Sequence, residues 1–194
     1  MSIPPEDYVI LRDTADHERF VRFAKAQDMV PYRTYPRSNI QSVFEDVWTT
    51  SDRKTAVHFV DDPSYGVRFV RIRGDKVSVV LRELARTLSF YDDEELIEDA
   101  STVETLEEGI RSILRIGVAF RNYDPRALHT YRAYLQHAIP DMRRAAIKAI
   151  GYHHWPEAQQ LLSEVAANDT DPNVREFADL ALATSRNKHG HTHQ

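Results

Sequence analysis

The rhythm of hydrophobic positions changes partway along this chain. Residues 8–11 are a short apolar run, and residues 43–50, 55–60 and 67–73 are rich in β-branched and aromatic side chains, a strand signature. The links at 51–54 and 61–66 are short, so the strands they join must be antiparallel neighbours. Two stretches have helical spacing instead. Phe20, Phe23, Ala24 and Gln27 follow an N-cap at Asp13 or Thr14, and Val77, Val80, Leu81, Leu84 and Leu88 follow a strand break and cap at Gly74 and Asp75. Residues 28–40 contain Pro31 and Pro36, with Tyr32, Arg33, Tyr35 and Arg37 around them. This predicts a loop, because proline pushes its predecessor out of helical geometry; arginine interleaved with tyrosine could stack on a partner, but such tyrosines more often cover the edge of a core. The first 90 residues therefore read as a small β-α-β-β-β-α unit.

From residue 91 the period is helical. Residues 91–108 form an acidic connecting segment broken by Leu96, Ile97, Val103 and Leu106, predicting a short helix and a new N-cap at Ser101 or Thr102. Pro125, Pro140, Pro156 and Pro172 then follow at steps of 15, 16 and 16 residues, each opening a helical segment. Proline suits a helix's first turn, where its missing N–H has no intrahelical partner. A shift of 32 residues aligns Met142-Arg143 with Val174-Arg175, Leu114 with Ala146 and Ala178, and Gly117 with Ala149 and Ala181. These positions share one helical face, and its small residues let a neighbouring helix approach closely. Residues 109–185 should be a ladder of short antiparallel helices, and the polar end, 186–194, a disordered tail.

The run from Asp169 through Asp171-Pro172 to Val174-Arg175 resembles the turn between the two helices of a HEAT-type repeat, and Pro140-Asp141-Met142-Arg143 is a weaker copy. The 32-residue length is shorter than the roughly 40–47 usual for that class. It is similar to the short HEAT-like repeats of phycobilisome-lyase-type proteins. The resemblance is confined to residues 105–185 and implies an α-solenoid with a binding role. It also implies that Arg111, Arg143 and Arg175 hold their turns through a nearby acidic side chain. The expected fold class is therefore α+β: the N-terminal β-α-β-β-β-α unit, with an antiparallel sheet, packed on a C-terminal α-solenoid of HEAT-like repeats as one continuous body.

Composition narrows the function classes. The chain is 42% hydrophobic and 28% charged, an ordinary globular balance, and it has no cysteine. It shows neither a signal-peptide pattern nor an apolar run of bilayer length, so a cytoplasmic protein without membrane contact is expected. The net charge of −5 hides an asymmetry. Residues 92–108 hold nine acidic and no basic residues, whereas residues 111–148 hold eight basic and two acidic ones. Such blocks are commonly solvated faces that partly complement one another, but either can also face a partner of opposite sign.

Nothing in the sequence assigns a catalytic residue, metal site or cofactor. His189, His191 and His193 alternate in the tail, and the adjacent His153 and His154 would point apart at a turn. There is neither a phosphate loop nor a dinucleotide-binding glycine pattern. The basic residues of the repeats could serve a nucleic acid, but a pI near 6.0 argues against it. The leading expectation is a protein-interaction module (adaptor, scaffold or regulatory subunit). Its protein partner would contact Arg132, Arg143, Arg144 and Lys148 on the repeats, and Asp92, Asp93, Glu94 and Glu95 on the acidic block. The alternatives are an immunity or inhibitor protein using that acidic patch, an enzyme of unknown reaction, or a nucleic-acid-binding repeat protein.

Overall fold

Five antiparallel strands lie in the order β1-β5-β4-β3-β2: β1 (Glu6–Ile10), β2 (Val30–Tyr35), β3 (Phe44–Thr49), β4 (Thr55–Asp62) and β5 (Val67–Gly74). They belong to a computed structural model that describes residues 6–153 and 155–189, with side chains as far as Thr184. His154 and residues 190–194, including His191 and His193, lie outside the described residues. The chain divides into two units, Met1–Asp92 and Asp93–Gln194. Its class is α+β, with eight helices among the described residues. None of those helices is long and apolar enough to cross a membrane.

In the first unit, α1 (His17–Ala26) and α2 (Val77–Ala85) supply one side of an apolar core. Phe20, Phe23, Ala24, Val80 and Leu84 from the helices meet Trp48, Val57, Phe59, Val70 and Ile72 from the sheet. Both predicted cap positions were displaced. Asp16 caps α1 by accepting the Arg19 N–H, and Lys76 precedes α2, its N–H held by the Thr55 hydroxyl. Strand β5 runs through Gly74, whose φ of +126° and whose missing Cβ, which would stand 2.1 Å from the Lys54 carbonyl, leave no room for another residue.

The fifth strand corrects the sequence reading, which placed a loop at 28–40. β2 pairs with β3, and Pro31 falls on an edge strand, where a missing N–H is tolerated. The register shifts between Pro31 and Arg33, a bulge that bends the edge. Buried Asp46 on β3 fixes the strand from inside. Its carboxylate accepts from the Thr34 hydroxyl (2.7 Å) and the Trp48 indole (2.8 Å), and it meets His17 Nε2 at 2.9 Å. Burial works to raise the Asp46 carboxyl, but these hydrogen bonds outweigh it and hold the group below the ordinary carboxylate range.

The second unit is helical: α3 (Asp93–Ser101), α4 (Leu106–Ala119), α5 (Pro125–Leu135), α6 (Pro140–Ile150), α7 (Pro156–Asn168) and α8 (Pro172–His189). The last four begin at the evenly spaced prolines. Asp124 and Asp171 cap α5 and α8, whereas Ile139 and Trp155 give α6 and α7 no side-chain bond. The acidic segment's second cap is Thr105, in a reciprocal capping box with Glu108, rather than Ser101 or Thr102. α8 continues to His189, into the stretch read as tail.

Helices α4, α6 and α8 pack side by side, while α5 packs on α6 and α7, and α7 on α8. Small residues let two of them approach closely. A Cβ on Gly117 would lie 2.9 Å from the Cα, Cβ and carbonyl oxygen of Ala149, its equivalent one repeat on. Tyr131, on α5, is fully buried and bonded to His153 Nε2 at 2.5 Å, and His153 stacks on Trp155 at 4.0 Å. Burial raises the Tyr131 phenol well above its usual value, so it stays protonated and donates. This aromatic plug fills the α6–α7 turn.

Candidate functional site

A groove of about 610 Å³ runs between α5 and α7, in the size range of ligand clefts. Arg132, Leu135 and Gln136 line it from α5, and Leu161, Glu164, Val165 and Asn168 from α7, with Asp169 beside the last. The spacing explains the pairing of walls. Arg132 and Glu164 are 32 residues apart, as are Gln136 and Asn168, so successive repeat helices present equivalent positions to one another. The floor is apolar, with Leu135 and Leu161 buried, while Arg132 and Glu164 are exposed and of opposite charge.

Asp169 is held at this groove by Arg143. The guanidinium donates from Nε (2.8 Å) and Nη2 (2.9 Å) to the two carboxylate oxygens, and from Nη1 to the carbonyls of His137 (2.8 Å) and Ala138 (3.2 Å). Arg175 donates to the Asp169 carbonyl at 2.6 Å. Burial would raise the Asp169 carboxyl, but Arg143 and the Asp171 N–H pull it below the usual range.

The eight residues singled out from the sequence do not converge. Only Arg132 lines the groove, and it makes no side-chain hydrogen bond or ion pair with a described residue. Arg143 is consumed by the α5–α6 and α7–α8 turns, its side chain only 9% exposed, so it is structural and unavailable to a ligand. Arg144 pairs with Asp141 on the first turn of α6, and half-buried Lys148 follows one turn later. Asp93, Glu94 and Glu95 occupy the first turn of α3, where negative charge stabilises the helix N-terminus, and Asp92 precedes it. The two charge blocks meet within the unit, Arg126 lying 3.8 Å from Asp93 and Arg115 3.9 Å from Asp99. Arg111, expected to hold a turn, instead pairs with Glu107 one turn back on its own helix.

Glu164, Leu161 and Val165 were missed by the sequence reading. The repeat shift that aligned α6 with α8 was the available signal, since applied to α5 it brings Arg132 onto Glu164. The groove can supply two opposite charges and an apolar floor. Its walls carry no serine, histidine, lysine or tyrosine to serve as nucleophile or tuned base. No protein-family model matches this chain, and no curated protein and no solved structure is detectably similar to it.

Proposed function

We propose that this chain is a protein-interaction module: its helices from α4 onward are a short α-solenoid of HEAT-like repeats, and the α5/α7 groove receives a segment of a partner protein. The observation that carries the reading is the groove itself, with an unengaged Arg132 facing Glu164 across a leucine floor. A partner segment fitted to it bears an acidic and a basic side chain on either side of an apolar one. Buried apolar contact supplies affinity, and the charges set orientation. The repeat reading is supported by the proline-initiated helices and by the Gly117–Ala149 approach between equivalent positions.

The test is affinity capture from the native cell extract, identification of bound proteins by mass, and titration of the purified partner. Binding should saturate, survive moderate salt and weaken roughly tenfold or more on Arg132→Glu. Affinity unchanged in Arg132→Glu and Leu161→Asp variants that melt like the parent would overturn the assignment.

A further inference from the structure

The exposed apolar surface is unevenly distributed. Of the ten large hydrophobic residues exposed among the described ones, five fall between residues 30 and 43: Val30, Tyr32, Tyr35, Ile40 and Val43. Tyr32 is 67% exposed and Ile40 84%. This segment contains β2, every residue of which is exposed, and β2 ends the sheet with no strand on its outer side among the described residues. In an antiparallel pair, alternate residues turn their N–H and C=O groups away from the partner strand, so β2 offers unused backbone donors and acceptors outward. Pro31 and the adjacent bulge guard the first half of the strand, which leaves Arg33–Tyr35 as its pairable half.

Side-chain chemistry narrows the occupant. Residues 30–43 hold two arginines and no acidic residue, in a chain of net charge −5. Arg37 is taken by Asp61 at 2.9 Å. Arg33 lies over the Tyr35 ring at 4.7 Å and makes no ion pair with a described residue, nor do the Tyr32 and Tyr35 hydroxyls make a hydrogen bond with one. Tyrosine and arginine with unused polar tips are the residue types that dominate binding energy at interfaces. A second copy paired antiparallel over Arg33–Tyr35 would offer Arg33 no carboxylate, since that stretch carries none. A nucleic acid would find a single unpaired cation, too few to hold a phosphate backbone.

We infer that the β2 edge is a second docking surface, which takes an extended acidic segment of another protein as a sixth strand. Main-chain hydrogen bonds to the outward groups of β2 give affinity, and a carboxylate on alternate residues of the incoming strand meets Arg33 beside the Tyr35 ring. The inference does not rest on the α5/α7 groove.

The experiment selects short random peptides displayed on phage against the full chain, then measures the enriched peptides in solution. Enriched peptides should carry acidic residues at alternate positions and lose affinity roughly tenfold on Arg33→Glu or Tyr32→Ser. N-methylation of alternate peptide amides should abolish binding in one parity and spare it in the other, since only one set faces β2. Melting curves check that the variants fold, and Arg33→Gln carries the test if Arg33→Glu does not. Enrichment without acidic residues, affinity indifferent to Arg33, equal tolerance of both methylation parities, or tighter binding of a thymidine oligonucleotide through the same residues would each overturn the proposal.

Discussion

Arg143→Ala removes four hydrogen bonds at once, two to Asp169 and two to the carbonyls ending the α5–α6 turn. It leaves a carboxylate whose side chain is 6% exposed and which keeps the Asp171 amide as a hydrogen-bond donor at 2.9 Å. Breaking one side of such a buried pair costs about 3–5 kcal/mol, because the remaining charge is desolvated without compensation. The second unit spans about 100 residues, for which each kcal/mol shifts the melting temperature by about 4–8 °C. Urea unfolding followed through Trp155 fluorescence, in a Trp48→Phe background, reports this unit. The pH dependence carries its own sign. Asp169 has its folded pKa lowered, so its contribution is present in full above its unfolded pKa of about 3.9 and is lost as the pH falls through the folded value. The variant's deficit should therefore be largest at neutral pH and shrink under acid. A loss below about 1 kcal/mol, the level of exposed ion pairs, or a deficit that ignores pH, would show that the pair does not hold the turn.

Two further perturbations probe the packing. Gly117→Ala gains helix propensity of about 1 kcal/mol but drives a methyl into the Ala149 backbone, so a net loss of about 1–2 kcal/mol is expected on urea titration; a stabilised variant would mean the helices can separate at no cost. Asp46→Asn keeps the shape but cannot accept charge-assisted bonds from His17, Trp48 and Thr34, so the first unit should lose about 2–3 kcal/mol at pH 7 by Trp48 fluorescence. Because the Asp46 pKa is lowered in the folded state, that gap should close as the pH falls below about 4, and a gap that widened there would refute the assignment.

What was legible in the sequence depended on whether a residue's role is local. The proline steps predicted four helix starts because a helix's first turn is specified by its own residues. The three central strands were legible from their β-branched and aromatic content, and their short links fixed the antiparallel pairing. β2 was not, since an edge strand with every side chain exposed leaves no alternation to read, and two prolines argued against it. The candidate site residues were harder still. Arg132 and Arg143 differ by 11 positions and carry the same group, yet one faces a groove and the other is locked to a carboxylate 26 residues away. Only the fold brings Asp169 to Arg143.

The groove and the close helix approach have a common cause. On α4, α6 and α8 the shared face carries glycine and alanine, and between α4 and α6 the Gly117 and Ala149 backbones come within the reach of a single methyl. On α5 and α7 the equivalent interior carries Tyr131, Leu128, Leu161 and Leu162, side chains that need room. The cleft lies on the side that carries the larger side chains. The opening falls between the C-terminal turns of α5 and α7, where Arg132 and Glu164 replace further apolar bulk. The 32-residue spacing thus places equivalent positions on the two walls of the cleft, and Arg132 and Glu164 give those walls opposite charges.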